Sequence, residues 1–169
     1  TSKLKILVVD DSHINRRVAL RLLEKLNIHA DAASSGFEAL DKLKTESYDV
    51  ILMDMQMPEM NGAEFLAQVR ERWPKVMRLM LTGTSDLKVA IAAINEGEIY
   101  RYLTKPWNDD EVISTVKSAL ERCALVTQRD QLLELTKEQN LKLADMVNTL
   151  EEKVKERTSE LSHSYNELR

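Results

Sequence analysis

The sequence predicts an α/β fold, a parallel five-stranded sheet covered by helices on both faces, followed by one long helix. Three observations predict it. Short apolar runs alternate with stretches of helical spacing five times over, the pattern of successive βα units. The run Val50 to Met53 is unbroken, as befits a strand covered on both faces. All four glycines and all three prolines lie before residue 107, and the 63 residues beyond Pro106 have neither. The first part is therefore punctuated like a globular domain, and the second can run as continuous helix.

Each element follows in order. Leu4 to Val9 reads as the first strand, with Asp10-Asp11-Ser12 at its end. Val18, Leu22, Leu23 and Leu26 then repeat at helical spacing, with charges on the opposite face. Ile28 to Ala33 is a weaker strand, placed near a sheet edge by His29 and Asp31. Ser34-Ser35-Gly36 turns into a helix carrying Ala39, Leu40 and Leu43. The run Val50 to Met53 ends abruptly in Asp54, and Met-Pro-Glu-Met-Asn-Gly follows as a turn. A third helix spans Ala63 to Arg72 and is closed by Trp73-Pro74. Val76 to Leu81 is the fourth strand, ending in Thr82-Gly83-Thr84. Val89, Ala90, Ala93 and Ile94 mark a fourth helix that stops near Gly97. Ile99 to Leu103 is the fifth strand, followed by Thr104-Lys105-Pro106. Right-handed crossovers limit the topologies, and a doubly wound, flavodoxin-like order 2-1-3-4-5 suits about 120 residues.

Composition narrows the functions. Of 169 residues, 43% are hydrophobic and 31% charged, enough for a core. A net charge of −4 argues against a nucleic-acid surface spread over this chain. The single cysteine, Cys123, excludes an internal disulfide framework and fits a reducing cytoplasm. No apolar run approaches the roughly 18 residues of a membrane span, and no signal-peptide pattern opens the chain. A cytoplasmic location without membrane contact is the expectation. Thr1, standing where a methionine would start a gene product, is consistent with trimming.

Asp10, Asp11, Asp54, Thr82 and Lys105 all fall at carboxyl ends of strands or just beyond, so the topology brings them to one rim of the sheet. Three ionised carboxylates together require a cation. Oxygen ligands in a partly hydrated site suit Mg²⁺, which also attracts a phosphoryl donor. Lys105 can pair with Asp54 or with a phosphoryl group on it, and Thr82 offers a hydroxyl. Asp54 read alone remains open to a plainer role, capping the turn that follows it.

Residues 4–122 resemble a response-regulator receiver domain of two-component signalling. Four motifs carry the resemblance: Asp10-Asp11, the stretch from Leu52-Met53-Asp54 to Asn61-Gly62, Leu81-Thr82-Gly83, and Tyr102-Leu-Thr-Lys105-Pro106. The resemblance implies that Asp54 is the phosphoacceptor, supplied by a histidine kinase or phosphotransfer protein. It implies Mg²⁺ held by Asp11, Asp54 and the backbone carbonyl of Gln56, with Asp10 acting through water. It further implies that Thr82 and Lys105 hold phosphoryl oxygens, that Lys105-Pro106 is cis, and that Tyr102 swings inward when Thr82 moves. Tyr102 is also open to the reading of an ordinary half-buried strand residue. Trp107 either covers the sheet end or marks a docking face. His13, His29 and His163 lack metal-ligand spacing and read as surface residues. Met53, Met55, Met57 and Met60 resemble a soft binding surface, yet the family pattern accounts for most of them as strand core and loop.

Asn108-Asp109-Asp110-Glu111 starts a helix with Asn108 as N-cap, and Val112, Ile113, Val116 and Leu120 should pack on the sheet. Running to Arg169, it would cover about 60 residues and about 90 Å. Leu143, Val147, Leu150, Val154, Leu161 and Leu168 form a heptad seam, weakened at Arg157 and Ser164. Leu125, Leu132 and Leu135 hold another register, joined through a stutter at Gln139. The expected organisation is a receiver domain over 1–124 and a signalling helix over 125–169 that forms a parallel homodimeric coiled coil. An output domain is expected beyond Arg169, and similar receivers with the Tyr-Leu-Thr-Lys-Pro-Trp pattern precede cyclic-dinucleotide enzymes or kinase-like modules. The chain itself is expected to be a switch rather than an enzyme. Two alternatives stand beside it: a dimerising scaffold with a vestigial acidic site, and a haloacid-dehalogenase-like phosphatase. Gln56, where that phosphatase family has its second Asp, counts against the latter.

Overall fold

In the computed structural model, which describes residues 3–95 and 99–169, the apolar run centred on Leu52 is the middle strand of the sheet. The strands are β1 Lys5–Val9, β2 His29–Ala33, β3 Val50–Asp54, β4 Met77–Thr82 and β5 Arg101–Thr104, all paired in parallel. Their order is β2-β1-β3-β4-β5, as expected. The helices are α1 His13–Lys25, α2 Gly36–Thr45, α3 Gly62–Arg72, α4 Leu87–Asn95 and α5 Asp109–Glu167. A short 3-10 turn, Thr84–Asp86, stands between β4 and α4. The expected stop of the fourth helix near Gly97 lies outside the described residues.

Side chains along each strand alternate between two cores, one on each face of the sheet. Leu7, Val9, Ile51, Met53 and Met80 meet residues of α2, α3 and α4. Ile6, Val8, Leu52, Leu79 and Leu81 meet α1 and the first turns of α5. With both faces covered, no polar residue can be tolerated along β3 until its end, where Asp54 stands. Each fully buried aliphatic side chain here contributes about 1.5–3 kcal/mol, so the core fixes the strand ends that carry the polar residues. Met55, Met57 and Met60 are buried too and belong to the α2–α3 core, not to an open surface.

The helices begin where the sequence supplies caps. Ser12 accepts from the Asn15 amide, and Asn61 from the Glu64 amide. Ser35 accepts from Glu38 N–H while the Glu38 carboxylate accepts from Ser34, closing a reciprocal box. Asn108 Oδ1 accepts from the amides of Asp110 and Glu111 at 3.0 and 3.4 Å, the cap expected for α5.

Several expectations need correction. Val18 and Val89, expected on inward stripes, are 45% and 46% exposed. Ala19 and Ala90 take the inner positions, since small side chains let a helix approach the sheet closely. The fifth strand is Arg101–Thr104 and not the stretch from Ile99. Ile99 is buried but lies ahead of the strand. On α5, Thr115, Ala119 and Cys123 complete the packed face beside Val112 and Val116, while Ile113 and Leu120 lie at its margin. The three histidines are exposed, as expected.

Chain contacts divide the molecule into two units, Thr1–Ala124 and Leu125–Arg169. Within the second unit every residue from 131 to 169 is exposed, including Leu143, Leu150 and Leu161. Pairs such as Glu138 with Lys142 and Glu134 with Lys137 support the helix locally. No described helix is long and apolar enough to cross a membrane.

Candidate functional site

Parallel strands deliver their carboxyl ends to one rim, and the loops that follow β1, β3, β4 and β5 carry the polar residues. Asp54, the last residue of β3, is buried, and its Oδ1 receives the Lys105 ammonium at 2.9 Å. The Lys105-Pro106 peptide is cis, as expected, and the Lys105 amide donates to the Thr82 carbonyl at 2.9 Å. Asp10, Asp11 and Asp54 each offer a carboxylate oxygen within 4.8 Å of one another. Asp11 faces solvent, whereas Asp10 is only 1% exposed.

Asp10 carries the electrostatic tension of the site. Its Oδ1 accepts from the Ser12 amide at 2.8 Å. Its Oδ2 is buried and accepts no hydrogen bond, with Lys105 Nζ standing 3.9 Å away. Burial pushes the Asp10 carboxyl above its usual range, and the neighbouring Asp54 charge adds to that. Lys105 therefore faces two of three clustered carboxylates, and one of these has a buried oxygen that accepts no hydrogen bond. The donor set is oxygen only and partly open to water through Asp11. These residues fit a hard divalent cation such as Mg²⁺, which takes carboxylates and keeps waters.

The backbone around Asp54 is held tightly. Gly62 sits so close to the end of β3 that a Cβ there would meet the Asp54 carbonyl oxygen at 2.6 Å and Met55 Cα at 2.9 Å. Only glycine permits this approach, which folds the Met55–Asn61 loop back under the site. Glu59 in that loop has φ 70, a left-handed conformation that a non-glycine residue adopts at some cost.

Thr82, completely buried at the end of β4, turns its hydroxyl to the Gly83 carbonyl at 3.1 Å and not toward Asp54. Tyr102 lies opposite Met80 in the β4–β5 ladder, half-buried against the core on that face. Gln56 touches Asp54 through its backbone, its amide standing 3.4 Å from Oδ1. Trp107 is half-buried and packs against the core shared by α1 and α5.

One residue of this rim escaped the sequence. The Gln56 side-chain amide donates to Asp86 Oδ2 at 2.8 Å, bridging the loops after β3 and β4. An Asp in Gly83-Thr-Ser-Asp86 ahead of a helix reads as an ordinary helix-start residue, so nothing local signals a partner 30 positions away.

Comparison with known proteins gives a consistent result. The model of the response regulator receiver domain matches residues 6–117. The hydrogenase transcriptional regulatory protein HoxA of Cupriavidus necator is 40% identical over 116 residues, covering 69% of this chain and 24% of that protein. The DNA-binding transcriptional regulator NtrC of Escherichia coli is 34% identical over 113 residues, 67% of this chain and 24% of its own length. The chain thus spans about a quarter of the length of these curated relatives. Among solved structures, one described as an adenylate cyclase from Rhodopirellula baltica superposes with a TM-score of 0.75 at 34% identity. It covers 79% of this chain and 98% of that one. The receiver domain of an HD domain-containing protein from Pseudomonas fluorescens gives 0.71 at 36% identity, over 76% of this chain and 95% of its own.

Proposed function

The chain belongs to the response regulator receiver family of two-component signalling, and from that premise we propose that it is a phosphorylation switch whose phosphoacceptor is Asp54. One observation carries the assignment: a buried carboxylate at the end of the central strand, paired to Lys105 at 2.9 Å and crowded by two further carboxylates. An Asp54 oxygen attacks the phosphorus of a phosphohistidine on a histidine kinase or phosphotransfer protein. The phosphorus–nitrogen bond breaks, the electron pair returns to the imidazole, and an aspartyl phosphate results. Asp11, Asp54 and the Gln56 carbonyl would hold Mg²⁺, with Asp10 acting through water. When bound, the ion neutralises charge on the transferring group.

The remaining work falls to the chain. Lys105 moves its charge from the Asp54 carboxylate to a phosphoryl oxygen. Thr82 gives up its bond to Gly83 and donates to another phosphoryl oxygen, and Tyr102 takes the space vacated. That change reaches β5 and the start of α5. We propose that α5 carries it into residues 125–169, where two copies pair as a parallel coiled coil through the seam from Leu143 to Leu168. The exposure of that seam along the whole second unit supports a second copy as its cover. Coupled this way, the coiled coil would pass the signal to an output module.

The test is labelling with acetyl phosphate and Mg²⁺. Wild-type protein should gain a hydroxylamine-sensitive phosphate, and Asp54→Asn should gain none. Equal labelling of Asp54→Asn would remove Asp54 from the role.

A further inference from the structure

Thr82 has to release the Gly83 carbonyl if its hydroxyl is to meet a phosphoryl group on Asp54, and the structure contains a linkage that holds that carbonyl in place. The Gly83 carbonyl accepts two hydrogen bonds, from Thr82 Oγ1 at 3.1 Å and from the Asp86 amide at 3.2 Å. Asp86 is in turn held by the Gln56 side chain at 2.8 Å. Gln56 stands beside Asp54, with its own amide 3.4 Å from Oδ1. A chain of hydrogen bonds therefore runs from Asp54 through Gln56, Asp86 and Gly83 to the Thr82 hydroxyl. Gly83 O is positioned by the turn that Asp86 closes, and Asp86 is positioned by Gln56.

We propose that Asp86 is a positioning residue for the switch: its hydrogen bond from Gln56 latches the turn after β4 and keeps the Thr82 hydroxyl on the Gly83 carbonyl. This rests on the phosphoacceptor reading of Asp54. Phosphorylation pulls Thr82 away from Gly83 O, so the turn must give, and the strain falls on the Gln56–Asp86 bond. The latch thus biases the unmodified protein toward its resting arrangement. Its acceptor atom does this work, and the Asp86 charge is secondary.

The experiment uses the full chain with Mg²⁺ and beryllofluoride as the phosphoryl mimic, read by Trp107 emission in a Trp73→Phe background. Asp86→Ala and Gln56→Ala should each bind the mimic about threefold to tenfold more tightly, the equilibrium worth of one net hydrogen bond. The double variant should gain no more than either single, because both remove the same bond. Asp86→Asn keeps an oxygen acceptor and should stay within about twofold of wild type on the same scale. A metal-free readout accompanies this: amide exchange at Asp86 should rise in Gln56→Ala, as its bond to Gly83 O loosens. Additive singles, an Asp86→Asn protein that matches Asp86→Ala, or unchanged exchange would overturn the latch. If wild-type protein fails to bind beryllofluoride, the phosphoacceptor reading falls, while exchange at Asp86 still reports on the latch. If wild type binds and the variants match it, the latch falls alone.

Discussion

Replacing Asp10 by Asn should stabilise the metal-free protein and abolish most of its response to Mg²⁺. Asp10 is 1% exposed, and its Oδ2 accepts no hydrogen bond while lying near two other carboxylates. A buried unsatisfied polar group costs about 1–3 kcal/mol, and more when charged. Lys105 Nζ at 3.9 Å from Oδ2 recovers part of that. Asn keeps an oxygen for the Ser12 amide and replaces the unsatisfied oxygen with an NH₂ donor facing Asp54. We expect a net gain of about 1–2 kcal/mol. For a domain of this size that is a rise of about 4–8 °C in Tm. Mg²⁺ at 100 times its Kd should stabilise wild type by about 2.7 kcal/mol and Asp10→Asn by much less. The melting order should therefore invert between EDTA and Mg²⁺, followed by the fluorescence of Trp73 and Trp107, both in the first unit. If Asp10→Asn is the less stable protein in EDTA, or if Mg²⁺ raises both equally, the account of the acidic site is wrong.

Gly62→Ala places a Cβ 2.6 Å from the Asp54 carbonyl oxygen, so it should cost about 1–3 kcal/mol and slow labelling of Asp54. Gly36→Ala should cost less on the same thermal melts, since its nearest contact is the flexible Met60 sulfur at 3.0 Å. Asp31 gives the pH dependence. Burial works against its carboxylate, but hydrogen bonds from Lys5 and Tyr48 outweigh that and hold the carboxyl below its usual 3.8. Its contribution is therefore complete above that value and lost as pH falls through the lowered one. Asp31→Asn should be less stable by about 1 kcal/mol at pH 7, with urea melts starting to converge with wild type as pH falls past 3.8 and meeting it only below the lowered value. Removing residues 125–169 should convert a dimer into a monomer at micromolar concentration by light scattering, and a monomeric full-length chain would refute the coiled coil.

The parts of this protein that the sequence makes legible are those set by local pattern. An unbroken apolar run ending in Asp54 reads as a strand covered on both faces, which must place its first charge at its end. Asn108 announced its helix for the same kind of reason, as its side chain serves amides two and three residues on. What stayed hidden depends on partners far along the chain. His29 and Asp31 placed β2 at the sheet edge, where it stands, but nothing local showed that Asp31 is tied to Lys5 at 2.6 Å and to the Tyr48 hydroxyl at 2.7 Å. Ala19 and Thr115 carry too little hydrophobic signal to mark an inner face, although both are nearly fully buried.

The same distinction bears on how the switch could work. Asp54, Lys105 and the carboxylates around them form a site whose chemistry follows from residue type and strand position, and many sequences could supply it. The resting position of Thr82 is a different kind of property. It depends on one hydroxyl, one carbonyl and a turn closed by Asp86, each worth about one net hydrogen bond. Contributions of that size cannot decide whether the domain folds. They are large enough to move a balance between two arrangements by about an order of magnitude. On the proposed latch, the side chains of Gln56 and Asp86 are therefore where the set-point of this receiver can vary without disturbing its core.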